Sequence, residues 1–244
     1  MSTHVLVENT RYDTLPVIHH CPEDHPQKIW NTLVKLKGDC SDDIQKPKNL
    51  TVITFNNQNE EMLLERRLNA SKSEFLVLGK GLKEWRNPMK IELLKEGLQR
   101  VQTEYVLVMD ASDVVISGSL ARIVVEFKKF ECEVLYNASS YVYPAEDRYS
   151  VMEDKIYQGL FSHLNSGCFI GRTNYCLNLY REVSEYSDEI TERHHYSDQI
   201  KIKPFYIKNY PKIKIDTMCE IFQIWNVKGM NCSDILKIRL KIHN

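Results

Sequence analysis

The 244-residue chain is poor in several features, and each absence narrows what it can be. It has only nine glycines, and no glycine-rich loop follows its first apolar run. That weighs against a nucleotidyltransferase whose backbone cradles phosphate there. There is no excess of basic residues: 32 Lys and Arg face 33 Asp and Glu, for a net charge of -1. The chain therefore offers no broad positive field for nucleic acid, and any phosphate must be met by a few local groups. No apolar run is long enough to form a transmembrane segment. The first ten residues, MSTHVLVENT, lack the basic region and apolar core of a signal peptide, which points to the cytoplasm. The secretory-pathway lumen fits instead if the chain is a processed fragment. Tandem repeats and low-complexity segments are absent. Cysteines stand at 21, 40, 132, 168, 176, 219 and 232, an odd number with no CxxC, which suits a reducing compartment. Cys132, Cys168 and Cys176 lie in apolar contexts and read as buried thiols.

What is present is an ordinary globular composition, 43% hydrophobic and 27% charged, long enough to bury a core without disulfides. Leu50–Phe55 (LTVITF) reads as a buried strand, followed by polar Asn56-Asn57-Gln58-Asn59 and a helix over Glu60–Ala70. Glu74–Leu78 is a second strand, and Met89–Val101 a helix opened by Pro88. Tyr105–Met109 (YVLVM) is a third strand with Asp110 at its end. Helices are predicted at Leu120–Phe130, Asn174–Tyr186 and Ser197–Ile202, and strands at Glu133–Asn137, Cys168–Ile170, around Ile221–Trp225 and at Ile238–Ile242. Alternating strands and helices from residue 50 onward argue for an α/β fold, a mainly parallel mixed sheet with helices on both faces. In such sheets ligands bind beyond the carboxyl ends of the strands, where Asp110 lies. Polar residues 38–49, with Pro47, read as a linker.

Asp110-Ala-Ser-Asp113 is the chemical feature. Two carboxylates offset by a tight turn at a strand end can reach one divalent ion, and Mn²⁺ or Mg²⁺ takes such hard oxygen ligands. Alone, DxxD is weak: a strand-ending aspartate followed by a turn-capping one is the commoner explanation of it.

Its neighbours give it meaning. Phe75-Leu-Val-Leu-Gly-Lys-Gly-Leu-Lys-Glu-Trp85-Arg86, Met89-Lys90-Ile91, Met109–Ser119, Ala138–Pro144, Leu164-Asn165-Ser166-Gly167-Cys168-Phe169-Ile170-Gly171, Ser197-Asp198-Gln199 and Ile221-Phe222-Gln223 occur in order. Together they resemble the glycosyltransferase domain of the procollagen lysyl hydroxylase / collagen hydroxylysine glucosyltransferase family, over about residues 49–244. The resemblance implies a glycosyltransferase-A-like nucleotide-binding fold. It further implies that Asp110 and Asp113 bind Mn²⁺ (or Mg²⁺) and that Trp85 lies near the nucleotide base. Lys90 would lie close to the donor, with Asn165 and Asp198 on the sugar and acceptor side. Ser112, Tyr143 and Gly167 occupy positions where the family's tyrosine, tryptophan and glycine meet the donor or sugar.

The family's third metal ligand is a histidine in a loop after Tyr-Asp-Thr-Leu-Pro near its domain's end. Here Tyr12-Asp13-Thr14-Leu15-Pro16-Val17-Ile18-His19-His20 stands near the beginning, and His20 takes that histidine's place. Pro26-Gln27-Lys28 resembles the Pro-Thr-Lys that follows, and Lys28 is the candidate phosphate contact to compensate for the glycines missing after His20. The chain thus resembles a circular permutant forming one domain, with residues 1–37 corresponding to the family's C-terminal segment, 38–49 to a linker and 50–244 to the nucleotide-sugar-binding core. A competing account makes residues 1–36 the tail of a preceding domain copy. Several positions depart from the family: Cys21-Pro22-Glu23-Asp24 replaces glycines after the histidine, and Ser197 replaces the first aspartate of Asp-Asp-Gln.

The function expected from the resemblance is transfer of a hexose, glucose or galactose, from a UDP-sugar to a hydroxyl acceptor, a hydroxylysine-linked or other glycan. Asp198 is the candidate for handling the acceptor hydroxyl or the charge at the anomeric carbon, with Asn165 beside it. The alternative is an inactive glycosyltransferase-like binding module.

Overall fold

A computed structural model of the chain describes residues 2–22, 31–35 and 46–243. Lys28 and most of the expected linker lie outside these residues. Strands are β1 (Ser2–Asn9), β2 (Ile18–His20), β3 (Leu50–Phe55), β4 (Phe75–Leu78), β5 (Tyr105–Met109), β6 (Val114–Ile116), β7 (Val134–Ser139), β8 (His163–Arg172), β9 (Ile213–Ile215), β10 (Phe222–Ile224) and β11 (Leu236–His243). Helices with named bounds are α1 (Leu63–Ala70), α2 (Met89–Leu98), α3 (Leu120–Lys129), α4 (Asp147–Ile156), α5 (Thr173–Glu185), α6 (Glu189–Arg193), α7 (Asp198–Asn209) and α8 (Cys232–Ile235).

Six strands form the central sheet in the order β4-β3-β5-β8-β7-β9. β3, β4 and β5 are mutually parallel, as are β7 and β9, and β8 alone runs antiparallel to both its neighbours. Side chains alternate across this sheet as the two-residue period of a strand requires. Ile53, Val106, Val108, Val134, Tyr136 and Phe169 face one way, onto Leu94 and Leu98 of α2, Leu179 and Tyr180 of α5, and Ile202 and Phe205 of α7. Val52, Tyr105, Leu107, Leu135, Cys168 and Ile170 face the other way, onto Leu64 and Leu68 of α1 and Ile123 and Phe127 of α3. The expected mainly parallel mixed sheet with helices on both faces is what the chain builds.

Two smaller sheets accompany it among the described residues. β1 and β11 form an antiparallel ribbon from Ser2↔His243 to Asn9↔Leu236. β2 lies between β10, parallel to it, and β6, antiparallel to it. The N-terminal segment is therefore seated in the molecule beside the end of β5.

Several expected boundaries shift for local reasons. α1 begins at Leu63, not Glu60, because the Asn56 amide donates to the Glu60 carbonyl (2.7 Å) and Asn56 Oδ1 accepts from Gln58 N–H (2.8 Å), holding 56–60 as a loop. β8 spans ten residues, not three, because it is paired on both sides. α7 continues through Pro204 to Asn209; the proline forgoes one backbone bond without ending the helix. Cys168 and Cys176 are buried as expected, but Cys132 is half-buried at the end of α3, with its thiol pushed up to about 12, chiefly by burial.

Candidate functional site

β5 is buried over its whole length, and its apolar run carries Asp110 to the carboxyl end of the sheet. There Asp110 N–H donates to the Gly167 carbonyl (2.9 Å), tying the end of β5 to β8. A short turn then leads through the exposed Ser112 to Asp113, whose carbonyl accepts from Cys21 N–H (2.9 Å). That bond and the pairing of His20 with Val114 set the register of β2 against β6. On the other side Trp225 N–H donates to the His20 carbonyl (2.8 Å). β10 itself starts where the buried Asp216 carboxylate accepts the N–H groups of Glu220, Ile221 and Phe222 at 2.7–2.9 Å.

Strand alternation separates the two adjacent histidines. His19 points into the core. The Trp225 indole N–H, which can only donate, binds His19 Nδ1 (3.2 Å), and this assigns the proton to His19 Nε2, which donates to Ser117 Oγ (2.9 Å). His20 points the other way. Its Nε2 lies 3.3 Å from Asp113 Oδ2 and 4.0 Å from Asp110 Oδ2. One ligand atom from each of the three residues lies within 4.8 Å of the others. Gly167 makes this approach feasible: a Cβ there would run into His20 Cε1 and come within 2.9 Å of Asp110 Oδ2.

The electrostatics are those of charges crowded out of water. Burial lowers the His20 pKa, but the Asp113 and Asp110 carboxylates outweigh it and the net shift is upward. Burial also pushes Asp110 up, more than the nearby Lys90 ammonium pulls it down. Burial raises Asp113 as well, but His20 beside it overcomes that and holds it below the usual range. Lys90 Nζ is 2.5 Å from Asp110 Oδ1; burial would lower its pKa, yet Asp110 and Asp198 raise it. Lys90 also stands 5.7 Å above the centre of the Phe55 ring.

A divalent cation fits this corner. One imidazole and two carboxylates are a donor set that Mn²⁺ accepts. With one ligand atom from each residue within 4.8 Å of the others, the three side chains are close enough together that one ion could be held by all of them. His20 Nε2 and Asp113 Oδ1 are buried and find no hydrogen-bond partner among the described residues. Buried polar atoms are normally satisfied, and a cation between them would satisfy these.

The three residues line a cleft of about 820 Å³. Trp85, Lys90, Ser112, Tyr143, Asn165, Gly167 and Asp198, all singled out from sequence, line the same cleft. Trp85 packs on Phe55, ring centres 6.0 Å apart. Asn165 Oδ1 accepts from Gly167 N–H (3.1 Å). Tyr143 is half exposed at the rim, and Asp198 is buried at the first turn of α7. Sequence reasoning assigned no role to Gln199, which clamps the walls: its Oε1 accepts from Ser166 N–H (3.0 Å) and its Nε2 donates to the Tyr143 carbonyl (2.6 Å). Nor did it find Asn137, a fully buried amide against His20. Its one signal was a polar residue inside the apolar run Val134–Ala138. His194, beside Glu146, is absent from this lining; His195 and the neighbouring Tyr196 line an adjacent groove next to Trp85.

An α/β domain with a carboxylate–imidazole corner at the carboxyl end of its sheet places polar groups where such sheets bind ligands. The family model described as the PLOD GT domain matches residues 46–241, and the chain belongs to that family of glycosyltransferase domains. His20 lies outside the matched span. The chain is 26% identical over 230 residues to procollagen-lysine,2-oxoglutarate 5-dioxygenase 1 of Bos taurus, and 26% over 231 residues to its Homo sapiens counterpart. Each alignment covers 86% of this chain and 29% of the relative, so the chain spans under a third of those proteins. Among solved structures it is similar to mouse xyloside xylosyltransferase 1, apo form (TM-score 0.40, 9% identity, covering 84% of this chain and 82% of that one). It is also similar to 4-diphosphocytidyl-2C-methyl-D-erythritol synthase from Anaerococcus prevotii DSM 20548 (TM-score 0.37, 12% identity, 69% and 88%). Neither likeness bears on the site. No helix among the described residues is long and apolar enough to cross a membrane.

Proposed function

We propose that this glycosyltransferase domain depends on a divalent cation, Mn²⁺ or Mg²⁺, and moves a hexose, glucose or galactose, from a UDP-sugar to a hydroxyl acceptor. The observation that carries the reading is the convergence of His20, Asp110 and Asp113 on one cleft, with His20 Nε2 buried 3.3 Å from Asp113 Oδ2 and Asp113 Oδ1 buried without a hydrogen-bond partner among the described residues. These three residues would hold the cation, which when bound neutralises charge on the departing nucleotide diphosphate. Lys90 favours the ionised form of Asp110 against the burial that raises its pKa, and sets a second positive charge beside the diphosphate. Trp85 and Phe55 offer an apolar wall for the base, with Ser112 at the mouth. Lys28 is retained as a phosphate contact on sequence grounds alone. Asp198 faces the acceptor side, where it orients the hydroxyl or stabilises positive charge at the anomeric carbon, and Asn165 holds the Gly167 backbone in place beside it. The exposed Tyr143 ring offers a face for a sugar. A glycan hydroxyl, hydroxylysine-linked or other, is the acceptor class this suits.

The reading extends to chain organisation. Residues 1–37 act as the C-terminal segment of a circularly permuted glycosyltransferase-A-like domain, with 38–49 as the linker. The pairing of β1 with β11 and the insertion of β2 between β6 and β10 support this. Calorimetry tests the whole proposal: UDP should bind with Mn²⁺ present and only weakly without it, and Asp113→Ala should erase the difference. UDP binding indifferent to Mn²⁺ in the wild type would sink it. A UDP-sugar hydrolysis screen would then name the donor.

A further inference from the structure

A neutral imidazole carries one proton. For His20 Nε2 to offer a lone pair to a cation, that proton must sit on Nδ1 and be donated to an acceptor. A ligating histidine generally gives its other N–H to such a partner, and losing the partner weakens metal binding. Asp113 and Asp110 face Nε2. The side chain facing Nδ1 is the amide of Asn137, with Nδ2 3.3 Å away.

Asn137 is fully buried on β7. Its placement follows from a break in the β7–β8 ladder. Tyr136 pairs with Phe169, but the next residue, Asn137, pairs with Asn165. Ser166, Gly167 and Cys168 therefore bulge out of the pairing; Gly167 is the residue against His20 and Asp110, and Asn165 is left beside Asn137. Asn137 Nδ2 donates to Asn165 Oδ1 (3.3 Å) as well as facing His20 Nδ1. Its own Oδ1 is buried with no hydrogen-bond partner among the described residues. An amide is nearly symmetric in shape, and half a turn about its terminal bond exchanges oxygen for nitrogen. Turned that way, Oδ1 would face Nδ1 and accept its proton.

We propose that Asn137 is a positioning residue that selects the His20 tautomer. With its NH₂ toward Nδ1, the imidazole proton is left on Nε2, facing Asp113, and the lone pair is unavailable. With its carbonyl toward Nδ1, the proton sits on Nδ1 and Nε2 is free to ligate. Cation binding and the amide turn are thus one coupled step. No covalent bond is made or broken apart from moving the imidazole proton from Nε2 to Nδ1; the turn gives up the hydrogen bond from Asn137 Nδ2 to Asn165 Oδ1, which a matching turn of the Asn165 amide would replace with one from its NH₂ to Asn137 Oδ1. Asn137 touches neither cation nor sugar and acts through His20.

This inference rests on the cation reading above, and the test separates the two. Mn²⁺ affinity is measured by counting free Mn²⁺ by electron paramagnetic resonance for wild type, Asn137→Ala, His20→Ala and the double variant, with thermal unfolding run on each. The expected result is that Asn137→Ala weakens binding by about tenfold or more, and that the same substitution has no further effect once His20 is alanine. Asn137→Asp, which can only accept, should keep wild-type affinity or better while His20 is present, and lose that advantage in His20→Ala. This variant also decides the matter if Asn137→Ala does not fold. An Asn137→Ala loss that persists without His20, or Mn²⁺ binding unchanged by Asn137→Ala, overturns the proposal. Absence of Mn²⁺ binding in the wild type overturns the cation reading and this proposal with it.

Discussion

Lys90 Nζ lies 2.5 Å from Asp110 Oδ1, while Asp110 Oδ2 is the oxygen that faces His20. One carboxylate thus serves a fixed ammonium with one oxygen and the candidate cation site with the other. The ammonium favours the charged form of Asp110 and offsets part of the burial that raises its pKa, but it also repels a second positive charge placed there.

Lys90→Met should therefore move two affinities in opposite directions. Relief of like-charge repulsion tightens Mn²⁺ binding several-fold at alkaline pH, where Asp110 stays ionised without help. UDP binding in saturating Mn²⁺ falls about tenfold or more, because a charge-assisted contact to the diphosphate is gone. Calorimetry on the variant, first with Mn²⁺ and then with UDP, reads both. A parallel loss of the two would show that Lys90 serves only to hold Asp110.

The pH dependence follows from the same crowding. Cation binding needs His20 neutral and Asp110 ionised, and both pKa values are raised in the cation-free protein. Mn²⁺ affinity should keep climbing beyond pH 6.5, the ordinary histidine value. The stability of the cation-free protein carries the opposite sign. The raised His20 pKa contributes stability that is full below pH 6.5 and is lost as pH rises through the shifted value. The lowered Asp113 pKa contributes stability present above pH 3.8 and lost as pH falls through its own value. Thermal unfolding with and without Mn²⁺, from about pH 5.5 to about pH 8.5, should show Mn²⁺ stabilisation growing with pH.

The sequence made β5 and its two aspartates legible because YVLVM is an unbroken apolar run with a charge at its end. It could not assign a role to Asn137 or foresee the clamp at Gln199, since both act through contacts set by the bulge in β8 and the loop at Tyr143. Short β6 and β9 escaped notice because three residues carry no period of their own; pairing with β2 and β7 defines them. His20 was reached by resemblance to a loop placed at the other end of the family domain. Only strand register explains why His20, and not His19, turns toward the cleft.

Gly167→Ala tests how closely the corner is packed. The added Cβ would press on His20 and Asp110 with no flexible chain end to give way. The fold should lose about 1–3 kcal/mol, the usual cost of overpacking. Mn²⁺ affinity should fall by more than tenfold, because displacing the imidazole by half an ångström spoils ligation. Chemical denaturation and Mn²⁺ titration of the same preparation check the two effects separately.

The last prediction concerns the support beneath β8. Lys203 on α7 and Glu153 on α4 form an ion pair (2.7 Å) in which both side chains are wholly buried. Glu153 Oε2 also lies 3.2 Å from His163 Nδ1, and its Oε1 accepts from Leu164 N–H (3.0 Å), one residue before Asn165. Burial alone would raise the Glu153 pKa, but His163 and Lys203 hold it below the usual range, while burial lowers that of Lys203. Breaking such a pair strands a charge, so Lys203→Met or Glu153→Gln alone should cost about 3–5 kcal/mol. Removing both charges should not. In Glu153→Gln/Lys203→Met the glutamine oxygen still accepts from Leu164 N–H, its NH₂ can donate to His163 Nδ1, and methionine fills the lysine's volume. The double variant should return to within about 1 kcal/mol of wild type or exceed it. Urea unfolding of the four proteins gives the coupling energy. Additive losses would mean that the pair holds α4 and α7 on β8 through its charge and not merely through its volume.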